Sequence, residues 1–252
     1  MILSAVVLSK NEAKNIVDCL KSLSFCDEVI VVDDDSTDNT ANIAQKLGAK
    51  VYQRDLNSDF SSQRNFGLQK AGGKWVLFID CDERVSKELA REIIQIVNDP
   101  LHSYKGFYMR RLDYMWGKLI KHGEVGGIKL LRLAYRDSGI WKRRIHEYWE
   151  IGGLTRLLKN PLFHYPHPTL AVFVSDISRM TTLHALANYE EGKYASIFKV
   201  IIWPFGHFIK NFILRRGYLD GNRGLVYALI MASHSYLAWS KLWMYQRGFR
   251  KI

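Results

Sequence analysis

The chain has 252 residues, 48% of them hydrophobic, and a formal net charge of +11. This length and hydrophobic content allow a large buried core, so a disordered chain is not expected. Three cysteines without a CxxC pair exclude a disulfide-rich scaffold and favour a reducing compartment. The positive charge indicates an anionic partner, which is a nucleic acid, a phosphate-bearing substrate or an acidic membrane surface.

The first hundred residues alternate strand-like and helix-like segments. Short apolar runs predict strands at 5–8, 29–32, 50–53 and 76–79. Apolar residues at helical spacing predict helices at 12–23, 37–47, 60–71 and 87–97. Because a strand, helix, strand order places the strands parallel, we expect an α/β fold with ligand sites at the carboxyl ends of the strands.

The remainder of the chain divides near Pro166. Before it the pattern is mixed, with strands expected at 106–110 and 129–133. Beyond it, basic amphipathic helical segments dominate. We therefore expect one domain over residues 1–166 and a helical region over 167–252.

Two acidic residues follow the strand expected at 76–79. Asp80 and Asp82 are two positions apart, so both carboxylates point the same way. A hard divalent cation that bridges a diphosphate would bind there. The alternative is an acidic cap before the next helix.

A second acidic cluster follows the strand expected at 29–32. Asp33, Asp34 and Asp35 are consecutive and repel one another, which favours a ligand that offers hydrogen-bond donors. A pyrimidine N3–H and ribose hydroxyls are such donors. The alternative is a helix-capping run on a solvated loop. No GxxxxGK[ST] or GxGxxG segment is present, so glycine-rich phosphate loops are excluded.

Four motifs in chain order resemble those of the family 2 glycosyltransferases. They are Lys10-Asn11-Glu12, Val31-Val32-Asp33-Asp34-x-Ser36-Thr37-Asp38, Arg64-Asn65-x-Gly67 and Asp80-x-Asp82. Asp82-Glu83-Arg84 and Arg143-x-x-His146-Glu147 further resemble the lipopolysaccharide-core β-glucosyltransferases. Asp35 departs from the family pattern, which usually has glycine there.

The resemblance implies a GT-A fold, which is a Rossmann-like α/β domain with a mixed central sheet, here followed by C-terminal amphipathic helices. Residues 1–100 would form the nucleotide-sugar half and 101–166 the acceptor half. The implied activity is an inverting, metal-dependent transfer of a hexose, with glucose expected, from a UDP-sugar to a hydroxyl of a lipid-linked glycan. Lipopolysaccharide or cell-envelope polysaccharide biosynthesis would be the setting.

The resemblance also implies roles for the donor site. Asp33 and Asp34 would contact the uracil, with Glu12 and Arg64 nearby. Asp80 would bind the ribose or assist the metal. Asp82 would ligate Mg²⁺ or Mn²⁺, which acts as a Lewis acid on the departing nucleoside diphosphate.

Glu147 occupies the position of the family's general base. The segment His146-Glu147-Tyr148-Trp149-Glu150 lacks the second histidine of HExxH, which excludes a zinc protease site. Arg143 and Arg144 would clamp phosphate or form a solvated turn.

Three other residues near these motifs are assigned no chemistry. His164 and His167 have HxxH spacing but no third ligand, so packing or capping roles are expected. Cys81 points away from both neighbouring aspartates and has no catalytic role.

The last 59 residues are both basic and apolar. From Tyr194 onward, nine basic residues and one acidic residue give a net charge of +8. The stretch 197–214 is interrupted by Pro204, and 225–240 is shorter than the about 20 residues that span a bilayer. We expect two helices that lie in the membrane interface, on the cytoplasmic face of a bacterial inner membrane, rather than a nucleic-acid partner. Packing onto the catalytic domain is the alternative.

Three other functions stay open. A polyprenyl-phosphate glycosyltransferase would have a phosphate acceptor and need no base. A basic membrane- or nucleic-acid-binding protein on a GT-A scaffold would not bind a donor. A carboxylate-pair glycosidase would not need the acids after the strand at 29–32.

Overall fold

The computed structural model describes residues 1–249 and divides the chain into two compact units. The first contains Met1–Arg111 and Lys129–His164, and the second contains Leu112–Ile128 together with the chain from Tyr165 onward. The segment 112–128, grouped by sequence with the acceptor half, therefore belongs to the C-terminal unit. Arg250 and Lys251, two of the nine basic residues of the tail, lie outside the described residues.

The first unit is built on a mixed β-sheet. The strands of the described chain are β1 (Leu3–Ser9), β2 (Glu28–Asp33), β3 (Lys50–Gln53), β4 (Trp75–Asp80), β5 (Glu83–Val85), β6 (Tyr104–Met115), β7 (Lys118–Ile120), β8 (Lys129–Tyr135), β9 (Gly139–Lys142), β10 (Tyr148–Ile151), β11 (Leu154–Leu157) and β12 (Leu162–His164). Of these, β7 and the end of β6 belong to the second unit, and β9 and β10 form a separate two-stranded sheet. Their order in the main sheet is β3-β2-β1-β4-β8-β6-β12-β5, with β11 beside β6. Strands β1 to β4 are parallel, as expected from the alternation of strands and helices in the sequence. Strand β8 is antiparallel to β4.

Four helices accompany this sheet: α1 (Ile16–Ser22), α2 (Thr40–Lys46), α3 (Phe60–Lys70) and α4 (Lys87–Asn98). The helices α1 and α2 begin three to four residues later than the periodicity predicts. Hydrogen bonds keep the residues before each helix in loops. Glu12 N donates to Thr40 Oγ1 at 2.7 Å, and Thr40 N donates to Asp38 Oδ1 at 2.9 Å.

The core lies on both faces of the sheet because alternate strand residues point to opposite sides. Val7, Leu77 and Ile79 are buried in one apolar cluster, whereas Val6 and Phe78 are buried in another. Each such side chain contributes about 1.5–3 kcal/mol by leaving water.

Gly67 allows α3 to lie close to β1. A Cβ at this position would be 2.4 Å from Val6 Cγ1. The glycine of the Arg-Asn-x-Gly motif therefore sets how closely α3, which carries Arg64, approaches the sheet.

The second unit contains three long helices: α5 (Leu170–Glu190), α6 (Ile197–Ile209) and α7 (Asn222–Gln246). Strand β7 pairs with the end of β6 in this unit. Met115, Ile120 and Val125 share its core with Phe173 and Tyr227. The stretch Ile197–Leu214 is long and apolar enough to cross a membrane by length and composition, and 11% of it is buried.

Candidate active site

Three parallel strands end at one edge of the sheet. Strand β1 ends at Ser9, β2 at Asp33 and β4 at Asp80, and the register pairs Ser9 with Asp33 and Leu8 with Asp80. Since adjacent strands lie about 4.8 Å apart, the two aspartates are separated by one strand at the same edge. The expected position of both acidic clusters is confirmed.

The loop after β2 supplies its own hydrogen-bond donors to the acids. Asp33 is fully buried and accepts from Ser9 Oγ at 2.8 Å and from Ser36 N at 2.9 Å. Asp34 accepts from Lys10 Nζ at 2.7 Å and from Leu56 N at 2.9 Å. The chain therefore supplies donors to both carboxylates, and these bonds offset the repulsion between the neighbouring acids without a ligand.

The backbone of this loop explains the departure at Asp35. Its φ is +46°, in the left-handed region where a residue without a Cβ is unstrained. Aspartate tolerates this region better than most residues. The loop therefore keeps a conformation that glycine would also adopt.

Glu12 belongs to the neighbouring loop that follows β1. Its Oε2 accepts from Asn15 Nδ2 at 2.8 Å. Asn11 Oδ1 accepts from Thr37 N at 2.8 Å, and Asn11 N donates to Ser36 Oγ at 2.8 Å. These bonds fasten the loop containing Glu12 to the loop containing Asp33.

Arg64 lies on α3, whose N-terminus is capped by Asp59 through a bond from Ser62 N. The arginine is buried and donates from Nη2 to Asp80 Oδ1 and from Nε to Glu147 Oε1, each at 2.8 Å. Its guanidinium also lies 4.7 Å from the ring centroid of Trp141. Arg64 therefore joins Asp80 to Glu147, whereas the resemblance implied a place near the uracil, beside the Asp33 loop.

The loop that carries Glu147 is fixed by α3 as well. Asn65 Oδ1 accepts from Trp141 N at 2.8 Å, and Phe60 N donates to Arg144 O at 3.0 Å. Arg144 Nε also lies 3.7 Å from Asp59 Oδ2. The Arg-Asn-x-Gly motif thus positions Glu147, which lies 83 residues beyond Arg64.

An ionic cluster at this edge contains Arg132 and Glu83, two buried residues for which no role is expected from the sequence. Arg132 Nη2 donates to Glu83 Oε1 at 3.0 Å and to Asp80 Oδ2, and Asp80 N donates to Glu83 Oε2 at 2.9 Å. Burial raises the pKa of Glu83. Burial also opposes ionisation of Asp80, but Arg132 and Arg64 hold the pKa of that carboxyl well below its usual range. A basic residue inside the apolar run Leu130–Ala134 was the signal in the sequence.

Asp82 faces His164. His164 Nε2 lies 3.1 Å from Asp82 Oδ2, and this neighbour lowers the pKa of the aspartate against the opposing effect of burial. The structure therefore brings His164 beside Asp82, a partner that the HxxH spacing does not identify. His167, by contrast, stacks on Phe173 at 4.0 Å and has its Nδ1 3.1 Å from Asp176 Oδ2, as a packing role requires.

The donor atoms fit a divalent cation that is shared with a diphosphate. Within residues 1–249, no group of three or more His, Cys, Asp or Glu side chains is placed to hold an ion by itself. Asp82 offers a carboxylate, and Mg²⁺ sites commonly combine one or two carboxylates with substrate phosphates. His164 places an imidazole nitrogen beside that carboxylate, a ligand that suits transition metals better than Mg²⁺. Both Asp80 oxygens accept from arginines, so Asp80 is less suited to ligation.

A cavity of about 380 Å³ opens beside this cluster. Its wall includes Arg64, Asp80, Arg132 and Glu147, together with the stacked rings of Trp141 and Trp149 at 5.4 Å. Cys81 is buried in the core away from this cavity, as expected. The arrangement places a carboxylate, a fixed guanidinium and an aromatic wall around a space large enough for a sugar.

The mixed sheet with acids at the carboxyl edge of its parallel strands, a buried arginine and a carboxylate on the facing loop agrees with the resemblance to glycosyltransferases of GT-A fold. Residues 4–137 match the family model described as glycosyl transferase family 2, and the chain belongs to that family.

Known proteins resemble the chain over nearly its whole length. An uncharacterized glycosyltransferase of Rickettsia conorii is 30% identical over 256 residues, which cover 95% of this chain and 89% of the relative. The lipopolysaccharide core biosynthesis glycosyltransferase LpsC of Rhizobium meliloti is 26% identical over 248 residues, covering 93% and 92%. Both similarities extend through the C-terminal helices.

The fold also matches a solved structure. Residues 1–349 of Staphylococcus aureus TarS, crystallised with UDP-GlcNAc, superpose with a TM-score of 0.50 and 16% identity, covering 100% of this chain and 93% of that chain. The predicted GT-A fold with C-terminal helices is confirmed, and the chain is a glycosyltransferase.

Proposed function

We propose that the protein transfers a hexose, with glucose as the expected sugar, from a UDP-sugar to a hydroxyl of a lipid-linked glycan with inversion at the anomeric carbon. The observation that carries this proposal is Arg64, which joins Asp80 at the sheet edge to Glu147 on the wall of the cavity. The similarity to LpsC supports an acceptor in lipopolysaccharide or cell-envelope polysaccharide biosynthesis.

The donor's nucleotide binds at the loops after β1 and β2. Because Asp33 is used to shape its own loop, we assign uracil recognition to the surface that Asp33 and Asp34 fix, with Glu12 beside it. The UDP-GlcNAc present in the TarS structure supports a uridine nucleotide as the donor class.

Asp82 and His164 would hold Mg²⁺ or Mn²⁺ at the diphosphate. Such an ion supplies Lewis-acid stabilisation of the negative charge on the leaving group, worth several kcal/mol. Asp80, already paired with two arginines, contributes by fixing Arg64 and Arg132 near that charge and by accepting from the ribose.

Glu147 is the general base. The acceptor oxygen forms a bond to the anomeric carbon as the bond from that carbon to the diphosphate oxygen breaks, and the acceptor's proton passes to Glu147. A base of this kind contributes about 10²–10⁴-fold. The bond from Arg64 Nε to Oε1 leaves the second carboxylate oxygen to receive the proton.

The C-terminal unit attaches the enzyme peripherally to the cytoplasmic face of the inner membrane. The basic and apolar composition of the tail supports this location, as does the lipopolysaccharide role in the name of LpsC. At that surface the enzyme would reach a lipid-linked acceptor while the acceptor's lipid stays in the bilayer.

A donor screen tests the proposal. The full chain is incubated with UDP-glucose, UDP-galactose or UDP-GlcNAc and Mn²⁺, and UDP release is measured with and without a truncated lipopolysaccharide acceptor. We expect acceptor-stimulated release with UDP-glucose. If Glu147→Gln retains the stimulated rate, Glu147 is not the base that the hydroxyl acceptor requires, and the assay is repeated with a polyprenyl phosphate, whose phosphate needs no base.

A further inference from the structure

The helix α6 exposes an unusually large apolar surface. Six of its large apolar side chains are 40–67% exposed: Ile197, Phe198, Ile201, Ile202, Trp203 and Phe205. The turns that follow add Ile213, Leu214, Tyr218 and Leu219, all at least half exposed. Contiguous apolar patches of this kind on a protein surface mark interaction sites.

The other side of α6 is packed within its own unit. Val200 is buried, and the helix makes most of its contacts with α7. Ala195 N donates to Gln246 Oε1 at 3.0 Å, and His207 Nε2 lies 3.0 Å from Glu124 Oε2. The helix therefore has one face that packs on protein and one face that no described residue of its unit covers.

The residues around this apolar face are basic, which indicates the class of its partner. Between Glu191 and Asp220 the chain has no acidic residue but contains Lys193, Lys199, Lys210, Arg215 and Arg216. The last three are exposed where α6 ends. An apolar face with basic residues at its end matches the interface of a bilayer that contains anionic lipid.

We infer that α6 and the turn through Leu219 insert sideways into an anionic membrane surface, whereas α7 supports α6 and does not enter the lipid. A spanning orientation would surround α6 with lipid, yet Val200 and the contacts of His207 and Lys199 face protein. This inference deepens the proposed membrane attachment by naming the inserted element and the lipid class.

Full-length variants are needed for the test. Ending the chain near Pro168 would remove Phe173 and Tyr227 from the core that contains Met115, Ile120 and Val125. The probe is flotation with vesicles of phosphatidylcholine alone or with phosphatidylglycerol added. Circular dichroism and thermal unfolding check that each variant folds.

The apolar arm uses Ile201→Ser with Phe205→Ser. We expect binding to both kinds of vesicle to fall about tenfold or more, because two large apolar side chains no longer enter the lipid. The matched control is Leu229→Ser with Tyr236→Ser, which changes two large side chains of α7 that are each 51% exposed. Binding by this control should stay unchanged.

The charge arm uses Lys210→Gln, Arg215→Gln and Arg216→Gln together. This variant should lose the preference for phosphatidylglycerol and the sensitivity to salt, while it keeps weak binding to neutral vesicles. Both arms are read without substrate, so they are independent of whether a UDP-sugar is turned over.

Three results would overturn the inference. One is equal loss of binding in the α6 and α7 variants. Another is retention of the full chain in membranes after alkaline carbonate, which indicates a spanning helix. The third is a smaller molecular mass of the Ile201→Ser, Phe205→Ser variant in solution with unchanged vesicle binding, which would make the face an interface between copies of the chain.

Discussion

Arg64 Nε donates to Glu147 Oε1 at 2.8 Å, although the two residues are 83 positions apart. The same guanidinium donates to Asp80 Oδ1. One buried side chain thus sets both the orientation of the proposed base and its position relative to the sheet edge where the diphosphate would leave.

Arg64→Lys should lower kcat about 10²-fold with little change in donor affinity. A lysine has one ammonium in place of a planar fork and cannot hold two carboxylates in the same geometry, and small displacements of a catalytic group have effects of this size. Arg54→Lys, which changes an arginine bonded to Gln63 and Ser62 on α3, is the control. Equal kcat values for wild type and Arg64→Lys would remove the positioning role.

Glu147→Gln should lower kcat about 10²–10⁴-fold while the Kd for the donor stays unchanged, because a general base acts only in the transition state. Glu150→Gln changes an exposed glutamate on β10, three residues after Glu147, and should leave kcat intact. Titration calorimetry with UDP and steady-state kinetics separate the two quantities. A weakened donor Kd with unchanged kcat would show that Glu147 binds the donor instead.

Asp82→Asn and His164→Gln should each weaken the Mn²⁺-dependent part of UDP binding, with the larger loss for Asp82→Asn because a charged ligand is removed. Calorimetry of UDP binding with Mn²⁺ or with a chelator measures that part directly. Asp99→Asn, at the C-terminus of α4, is the control. Mn²⁺-dependent binding that survives both substitutions would place the metal elsewhere.

Several elements could be predicted because local pattern determines them. The strands β1, β2 and β4 are continuous apolar runs, and Asp59 and Ser86 cap α3 and α4 within the sequence that forms each helix. Helix α1 begins at Ile16 and not at residue 12 as the periodicity predicts, because Glu12 O accepts from both Asn15 N and Ile16 N and so forms a turn before the helix. Local periodicity does not distinguish this turn from a first helical turn.

The site was predicted less completely because its partners are distant in sequence. His164 reaches Asp82 over 82 residues and Arg132 reaches Asp80 over 52. The hydrogen bonds of Asp33 could not be predicted either, since its donor Ser9 ends β1 and its donor Ser36 lies in the loop after β2. Spacing located the acidic residues but did not identify the groups that neutralise them.

Glu28→Gln should reduce the free energy of unfolding at pH 7 by about 1–3 kcal/mol. Buried Glu28 accepts from Ser4 Oγ and Lys50 Nζ at 2.7 Å and from Gly72 N at 2.9 Å. Burial opposes its ionisation, but these donors, with Lys50 foremost, hold the pKa of Glu28 below its usual value.

A carboxyl with a lowered folded pKa stabilises the fold above its unfolded pKa of about 4.3, and this stabilisation is lost as the pH falls through the folded value. The difference between wild type and Glu28→Gln should therefore shrink below about pH 4. The measurement is urea unfolding of both proteins at pH 7 and again below about pH 4. A difference that grows on acidification would contradict the sign of this pKa shift.

Transfer of label from a radiolabelled UDP-hexose to a lipid-linked acceptor tests the central claim most directly. The full chain with Mn²⁺ and membranes containing truncated lipopolysaccharide should move label from UDP-glucose into the lipid fraction, and neither Asp82→Asn nor Glu147→Gln should do so at a comparable rate. Folded wild-type protein that neither transfers label nor releases UDP from any UDP-sugar would contradict the account.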